Sequence, residues 1–492
     1  MSLGRRTAYN LLGAIAPTLL SLVTIPIYIR AIGDARYGAL AVLWSLLGYF
    51  GLADLGLGRA TAQRIASLDS SSPRARSACL WTALFVEAAL GLLGALLIWL
   101  AAWVFVGRIM AIEPALQSEF APALVWLASL LPAAMLANVL GGALEGRSRF
   151  LELNLISLAG AVLFQLLPLA VALAIGPELC FLLPAVLCAR ATSVLLAFWR
   201  CKIHVLGEDP PTFSTAEAKA LLRFGGWFTV SNVISPFMVM LDRFVIGAGA
   251  GAKAVTYYSV PFQLAERSNL AASALTGAML PELARADADE RRRLAAQAIR
   301  ALAVATAPMI VMAILFVEPF FQVWLGPEFA ARANVADQIL LIGFWCNGLA
   351  MAPFAQLLAA GRPNLTARCH VLELAPYILL LVLGLTLWGL PGAALAFALR
   401  AFGDLVLLLH FGENLKRGLD MVRTPLVLLL LALAVALLAS GPFGHSPWRW
   451  ISSLGLVAAT SAWSWRNCPP AWREAGTRLL RKPSDDLLRA RR

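Results

Sequence analysis

Two pairs of neighbouring acidic and basic residues lie inside long apolar stretches of the sequence. They are Asp242-Arg243 and Glu266-Arg267. A single charge at the centre of a bilayer helix costs roughly 2.5 to 3.5 kcal/mol, so these side chains must face protein or water rather than lipid. Side chains of this kind bind charged ligands or carry protons. The pattern therefore predicts a charged cavity inside a membrane protein.

Four arginines lie within apolar stretches of the sequence: Arg190, Arg243, Arg267 and Arg400. A guanidinium can hold two oxygen atoms of a phosphate group at once, so all four are candidate ligands for an anionic substrate. An ion pair between helices is the alternative for each of them. It is strongest for Arg400, since Asp404 follows one turn later on the same helix face.

The acidic residues of these stretches are candidates for ion pairing or proton coupling: Glu87, Asp242, Glu266 and Asp404. Glu266 and Arg267 point about 100° apart on one helix, so each needs a partner elsewhere. For Glu87, midway along its apolar run, both roles stay open. No metal site or cofactor is expected, because the seven cysteines and four histidines are scattered without ligand spacing.

The composition, 60% hydrophobic and 14% charged over 492 residues, predicts an all-α, multi-spanning membrane protein. About fourteen apolar runs are long enough to span the bilayer, or twelve if the last two are left out. The predicted spans are residues 10–29, 39–56, 79–106, 121–143, 153–175, 179–199, 226–247, 256–280, 301–321, 338–360, 371–389, 393–411, 425–440 and 450–465.

The net charge of +12 indicates membrane topology rather than nucleic-acid binding, because the basic residues occupy short loops. Thirty of the 40 lysines and arginines lie in alternate loops and at the chain ends, against about six in the opposite loops. Both termini are therefore predicted to be cytoplasmic. The basic tail, residues 466–492, is expected to contact anionic lipid headgroups. Arg30, Asp34 and Arg36 in the first opposite loop are candidates for a gate or for interfacial anchors.

An internal repeat with an offset near 215 residues is visible in short landmarks. They pair Gly146-Arg147 with Gly361-Arg362, Ile32-Gly33 with Ile246-Gly247, and Gly176-Pro177 with Leu390-Pro391-Gly392. Six spans, an even number, separate each pair, so the two halves have the same orientation in the membrane. The predicted domains are a six-helix bundle at 1–207, a cytoplasmic linker at 208–222, a second six-helix bundle at 223–424, two extra helices at 425–465 and the tail at 466–492.

Several short motifs, in this order and spacing, resemble one known family. They are residues 10–26, YIRAIGDARYG at 28–38, ADLGLGRA at 53–60, Arg223-Phe224-Gly225, residues 242–247, Tyr258 and Leu280-Pro281-Glu282-Leu283. Nearly the whole chain resembles the oligosaccharide flippases of the polysaccharide-export branch, within the multidrug/oligosaccharidyl-lipid/polysaccharide exporter superfamily.

The resemblance implies a V-shaped, pseudo-two-fold pair of six-helix bundles in the bacterial cytoplasmic membrane. Such a protein moves undecaprenyl-diphosphate-linked oligosaccharide from the cytoplasmic to the periplasmic leaflet for the synthesis of surface polysaccharide. It is a transporter, not an enzyme. The implied partners are the lipid-linked oligosaccharide, membrane lipids, and a polysaccharide polymerase with its chain-length machinery.

Two alternative functions stay open at this point. The first is an ion-coupled multidrug antiporter of the same superfamily, although arginines inside the spans would repel a cationic drug. The second is a membrane polysaccharide polymerase or glycosyltransferase. Asp287-Ala288-Asp289 resembles the acidic motif of glycosyltransferases, but a charge run exposed to solvent explains it better.

Overall fold

The structure, a computed structural model, describes residues 19–41, 56–68, 73–108, 114–206, 210–439 and 447–468. Within these ranges the chain is helical and contains no β-strand. The all-α fold class is therefore confirmed. Predictions for residues 10–18, for most of the second span at 42–55 and for the tail after 468 lie outside the described residues.

Seven helices precede the long middle helix, and the last four of them coincide with predicted apolar runs. The helices are α1 Leu19–Ile32, α2 34–41, α3 Leu57–Ser67, α4 Pro73–Arg108, α5 Pro114–Gly146, α6 Phe150–Ala174 and α7 Leu179–Cys201. A π-helical turn, Lys202–Leu206, extends α7. Gly33, with a φ of 79°, separates α1 from α2, a left-handed conformation that glycine adopts without strain.

Seven more helices make up the rest of the described chain. They are α8 Thr215–Glu266, α9 Leu270–Arg285, α10 Ala288–Trp324, α11 Pro327–Ala359, α12 Pro363–Phe411, α13 Leu415–Ala439 and α14 Pro447–Asn467. A 3-10 turn, Arg267–Asn269, joins α8 to α9. Two of the helices are interrupted by glycines in non-helical conformations, α8 at Gly251 and α12 at Gly389.

The acidic motif at residues 287–289 is a helix start. The Asp287 carboxylate accepts a hydrogen bond from the backbone N–H of Glu290 at 2.8 Å, which caps α10. A side chain in this position satisfies a backbone donor that the helix leaves unpaired. The local structure thus accounts for Asp287 without sugar-nucleotide chemistry.

Eight helices in the described ranges are long and apolar enough to cross a membrane, which establishes a multi-pass membrane protein. They are Pro73–Leu100, Pro122–Gly146, Phe150–Ala174, Leu179–Leu206, Ala288–Trp324, Pro327–Ala359, Arg368–Phe411 and Leu415–Ala439. The seventh of these contains two predicted spans, 371–389 and 393–411, divided at Gly389. α14 matches the weakest predicted span, 450–465, but is not among the eight.

The helix order repeats with nearly the predicted offset. Three helices of the second half begin 213 residues after their counterparts: Leu270 of α9 after Leu57 of α3, Pro327 of α11 after Pro114 of α5, and Pro363 of α12 after Phe150 of α6. One landmark differs from the prediction. α8 continues through Gly247 and is interrupted at Gly251, which is the counterpart of the break at Gly33.

The chain forms two compact units, Met1–Ser259 and Val260–Arg492, and the division falls inside α8. In the first, α5 is central and packs against α3, α4 and α7. In the second, α11 is central and packs against α9, α10 and α12. α8 begins at Thr215, within the predicted linker 208–222, and the predicted division into domains stays a prediction.

An aromatic cluster fixes the core of the second unit. The rings of Phe262, Phe344 and Phe397 have centroids 4.8 to 5.2 Å apart and come from α8, α11 and α12. Aromatic pairs at these distances stabilise a fold beyond the area that they bury. On the outer face of α12, by contrast, Leu379, Leu383 and Leu387 are exposed at four-residue intervals, as expected for a ridge in contact with lipid.

Small residues let α3 and α5 approach closely. A Cβ atom at Gly142 of α5 would overlap the backbone carbonyl of Gly58 in α3. Small residues at helix contacts are the usual means of close packing in membranes, where water does not drive helices together.

We expect Gly142→Ala to destabilise the protein by about 1 to 3 kcal/mol, because backbone atoms must move to admit the methyl group. The apparent unfolding temperature of the purified protein measures this. Gly403→Ala in α12 is the matched control, since nothing lies within 4 Å of its added Cβ. Equal stability of the two variants would contradict the close contact.

Candidate substrate-binding site

Arg267 lies at an irregular point of a predicted span. The sequence predicts one continuous span at 256–280. In the structure a 3-10 turn, Arg267–Asn269, interrupts the α-helix there. Short 3-10 segments inside longer helices often mark hinges or functional sites. The side chains of Arg267 and Glu266 are both exposed, and neither forms an ion pair with any residue that the structure describes.

The same turn is anchored on its other side. Asn269 donates a hydrogen bond from Nδ2 to Asn347 Oδ1 of α11 at 2.8 Å. Gly348 follows Asn347 and leaves room for the Asn269 side chain, whose Oδ1 would be 2.9 Å from a Cβ at that position. The turn is therefore held to α11 while the guanidinium of Arg267 stays accessible to a ligand.

Arg190 is half-buried on α7 and lies against an aromatic ring. Its Cζ atom is 5.8 Å from the centroid of Phe164 on α6. Its Nε atom is buried without a hydrogen-bond partner, and no carboxylate pairs with it in the described part of the chain. A cation–π contact holds the guanidinium in place without neutralising its charge, so Arg190 can still bind an anion.

Arg243 and Asp242 are buried together on α8, with 4% and 0% of their surfaces exposed. Arg243 Nη1 is 3.4 Å from Asp242 Oδ1, and the same oxygen accepts a hydrogen bond from the Arg243 backbone N–H at 2.7 Å. This is an ion pair between neighbours on one helix, and not the pair between helices that the sequence left as the alternative. The role of Arg243 as a substrate ligand stays a prediction. A ligand could reach Arg243 only after a rearrangement of α8.

Arg400 lies among aromatic and acidic side chains from both halves of α12. Its Cζ atom is 5.4 Å from the ring of Tyr377 and 5.2 Å from that of Phe397. Its Nη1 atom is 3.8 Å from Glu373 Oε2, and Asp404 is buried beside this pair. Among the described residues the acid that pairs with Arg400 is therefore Glu373, which comes before the break at Gly389, rather than the predicted Asp404.

Sequence reasoning missed Glu373 as a site residue, although a signal was present. Glu373 lies inside the predicted span 371–389 and is an acid among apolar residues, the same pattern that singled out Glu87. In the structure Glu87 is fully buried on α4. Its role as ion-pair partner or proton carrier stays a prediction.

The candidate gate residue Asp34 connects the two glycine breaks of the first unit. Its carboxylate accepts a hydrogen bond from the Tyr257 hydroxyl at 2.6 Å, and its backbone carbonyl accepts one from the Thr256 hydroxyl at 2.5 Å. Asp34 follows Gly33, while Thr256 and Tyr257 follow Gly251. The contact thus joins the two segments that follow the glycine breaks.

Arg36, the second gate candidate, pairs instead with Glu119 of α5: its Nε and Nη2 atoms donate to the two carboxylate oxygens, with Nε 3.0 Å from Oε2. This hydrogen bond holds the pKa of Glu119 below its usual range. A lowered carboxyl pKa stabilises the folded state at neutral pH, and that contribution is lost as the pH falls through the lowered value. Arg30, the third candidate, is exposed.

The helix order with its internal repeat is that of the multidrug/oligosaccharidyl-lipid/polysaccharide exporter fold. A multidrug resistance transporter of the MATE family, in an inward-facing conformation, matches it with a TM-score of 0.66 at 16% identity, over 83% of this chain and 96% of the other. The lipid II flippase MurJ, in an inward closed conformation, matches with a TM-score of 0.66 at 14% identity, over 92% of this chain and 99% of the other. At these identities the likeness is one of fold.

The chain belongs to the polysaccharide biosynthesis protein family, whose profile matches residues 27–334. A candidate O-antigen transporter of Shigella flexneri is 29% identical over 413 residues, which are 83% of this chain and 97% of the relative. The resemblance seen in the sequence motifs is thereby confirmed.

The structure assigns Asp242 and Arg243 to one buried pair, which a pair of substitutions can test. We expect Arg243→Met to lower the amount of folded protein, because breaking a buried ion pair costs about 3 to 5 kcal/mol. Asp242→Asn in the same chain should restore part of it, since the uncompensated charge is removed. Immunoblotting of membranes and the apparent unfolding temperature measure both effects.

Arg332→Met provides the control for these substitutions. Arg332 pairs with Glu328 at 3.0 Å on an exposed helix face, where an ion pair contributes little. Normal accumulation of Arg243→Met with loss of transport would contradict the structural role and would make Arg243 a substrate ligand.

Proposed function

We propose that the protein moves an undecaprenyl-diphosphate-linked oligosaccharide from the cytoplasmic to the periplasmic leaflet of the bacterial inner membrane, for the synthesis of surface polysaccharide such as O-antigen. One observation carries the proposal: the guanidinium of Arg267 is exposed at the 3-10 turn inside the predicted span 256–280, and no described residue forms an ion pair with it. Arg267 is the primary ligand of the diphosphate, and Arg190 is the second candidate.

The chemistry of the cargo matches these groups. A diphosphate carries several negative charges and cannot cross about 30 Å of hydrocarbon unaided, whereas the polyprenyl tail is stable in lipid throughout. The transporter therefore has to supply cationic groups for the headgroup only. Arginine suits this role because its planar fork binds two phosphate oxygens at once and stays charged. No bond is made or broken, so the protein is a transporter rather than an enzyme.

The comparisons support this assignment at the level of the family. The family is one of polysaccharide biosynthesis, and the Shigella flexneri relative is named for O-antigen transport. MurJ, which shares the fold, is named as a lipid II flippase. Among functions compatible with the fold, lipid-linked sugar transport is the one consistent with both the family and the unpaired arginines.

Multidrug antiport is the runner-up, because a multidrug resistance transporter shares the fold with the same TM-score of 0.66 as MurJ. The charge of the described site disfavours it. Arg267 and Arg190 have no carboxylate partner among the described residues, and two uncompensated cations would repel a cationic drug. The same groups attract an anionic headgroup.

The proposed topology places both termini in the cytoplasm and makes 1–207 and 223–424 the two moving bundles. The charge asymmetry of the loops supports the orientation, and the repeated helix starts support the two-bundle arrangement. In this scheme the tail at 466–492 lies on anionic headgroups. A polysaccharide polymerase with its chain-length machinery would receive the transported units on the periplasmic side.

The role of Arg267 can be tested in a strain that depends on this protein. We expect Arg267→Ala to abolish surface polysaccharide and to cause accumulation of lipid-linked sugar on the cytoplasmic side, while the protein still accumulates. Arg267→Lys should restore only part of the activity, because lysine keeps the charge but loses the bidentate fork. Surface polysaccharide, lipid-linked intermediates and protein amount are measured together.

Arg285→Ala is the matched control for Arg267→Ala, because Arg285 is an exposed arginine in the last turn of the next helix, α9. It should leave transport unchanged. Full activity of Arg267→Ala would remove Arg267 from the site, and lost activity accompanied by lost protein would show a structural role instead.

The orientation is testable with introduced cysteines. The native Cys201 and Cys369 are buried in the structure and report on neither side. In a variant with Cys180, Cys188 and Cys468 replaced by serine, Arg332→Cys should react with a membrane-impermeant thiol reagent applied to intact cells. Arg285→Cys should react only after permeabilisation. Both positions are exposed, so the opposite pattern would reverse the topology.

A further inference from the structure

A compact cluster of ionisable side chains lies within α12, away from Arg267 and the 3-10 turn. One ligand atom each of His370, Glu373 and Asp404 lies within 4.8 Å of the others. Arg400 Nη1 is 3.8 Å from Glu373 Oε2. The two acids come from opposite sides of the break at Gly389, so the hairpin fold of α12 brings them together.

The carboxylates are buried, and three of their four oxygens have no hydrogen-bond donor among the described residues. Glu373 is 7% exposed and Asp404 is 5% exposed. Neither oxygen of Glu373 has a hydrogen-bond partner, and Oδ1 of Asp404 has none either, within the part of the chain that the structure describes. Buried acceptors without donors are rare in folded proteins because they cost the full desolvation penalty. A ligand that supplies positive charge or a donor would satisfy them.

The charge count specifies that ligand. Two carboxylates contribute two negative charges, and Arg400 contributes one positive charge, so a neutral His370 leaves one negative charge uncompensated. Two carboxylates this close in a buried site cannot both stay ionised unless another cation is present. One additional positive charge balances the cluster.

We propose that Glu373 and Asp404 form a proton-binding dyad that holds one proton near neutral pH, with Arg400 as the counter-charge of the remaining carboxylate. His370 is the route by which the proton enters and leaves. This goes beyond the proposed function, which assigns Arg400 and Asp404 no such task and names no ion.

His370 is suited to proton transfer by its position. It precedes Glu373 by three residues, so the two side chains share one face of the helix. It is also less buried than either acid, and its Nδ1 atom has no hydrogen-bond partner among the described residues. It stands seven residues after Pro363, the first residue of α12, which is about 10 Å along the axis. The imidazole thus lies between the dyad and the helix end.

The charged groups around the dyad can be named for α12 and for the helices that pack against it. The groups that interact electrostatically with His370 and Glu373, among the described residues, are Asp404 and Arg400. Cys369 lies near both acids on the same helix. α11 and α13 also pack against α12, and neither contributes to these described interactions. Among the described residues, the charges that act on the dyad therefore lie on α12 itself.

A metal ion fits the cluster less well than a proton. A divalent cation would stand beside Arg400, whose guanidinium approaches Glu373, and would leave excess positive charge. Sodium sites in transporters use backbone carbonyls freed by unwound helices. Here Glu373 and Asp404 lie in continuous helical segments, and the break at Gly389 comes 16 residues after Glu373, about 24 Å along the axis.

Infrared difference spectroscopy of the full-length protein in lipid nanodiscs tests the dyad directly. Near neutral pH we expect a carbonyl band of a protonated carboxylic acid that shifts in heavy water. Glu373→Gln and Asp404→Asn preserve side-chain shape, and each should remove this band. Glu282→Gln, at an exposed acid in α9, is the control and should leave it unchanged.

Two further variants distinguish a proton-binding site from a cluster with only a structural role. Arg400→Gln removes the counter-charge, so both carboxyls should become protonated and the band should rise about twofold. His370→Gln should keep the band and slow the exchange with heavy water. A wild-type spectrum without the band, or a band that survives both Glu373→Gln and Asp404→Asn, would overturn the proposal.

Cations provide the last comparison. Adding sodium chloride in place of choline chloride, or adding zinc chloride, should leave the wild-type band unchanged. Loss of the band on addition of sodium would overturn the proton assignment in favour of a sodium site, and loss on addition of zinc would do so in favour of a metal site. None of these spectra depends on lipid-linked sugar, so failure of the dyad and failure of the proposed transport function are distinguishable.

Discussion

The free-energy cost of charge in a medium without water governs this structure. Each arginine inside an apolar stretch has to find an anion, an aromatic face or access to water. The structure shows three solutions: Arg243 lies against its neighbour Asp242, Arg400 lies between two rings and Glu373, and Arg267 is exposed at a tightened turn. Arg267 and Arg190, which pair with no described carboxylate, keep a charge that the proposed substrate could neutralise. The distinction between structural and ligand-binding arginines is therefore one of partners, not of residue type.

The backbone follows the same constraint. In hydrocarbon every N–H and C=O must be paired within the segment, so the chain is helical throughout its described length and departs from regular helix at few places. Those departures recur in both repeats, at Gly33 and Gly251 and again at the starts of α3 and α9. Asp34 connects the first two of them to each other. Transporters use irregular backbone of this kind for hinges and for contacts with ligands.

Two chemically different sites follow from these contacts. The guanidinium of Arg267 is exposed and no described acid pairs with it, which suits the anionic headgroup of the proposed substrate. In the buried cluster of α12 two acids, Glu373 and Asp404, lie beside one arginine, Arg400, and are closed off from solvent, which suits a small cation such as a proton. A lipid-linked diphosphate and a proton have opposite charges, and the protein keeps the groups that would bind them on different helices.

The amino-acid sequence by itself determined the membrane class, the positions of most spans and the repeat, because apolar runs and helix-ending glycines act locally. Short motifs in the sequence also indicated the family. The arginines inside apolar runs stood out because a charge in lipid costs free energy. The partner of Arg243 is its sequence neighbour Asp242, but only the tertiary structure decided the partners of Arg400 and Arg190. Glu373 reaches Arg400 because α12 folds back at Gly389, and Arg190 meets Phe164 because α6 packs against α7. Such contacts join residues far apart in the chain, and no local pattern encodes which distant side chain will neutralise a given charge.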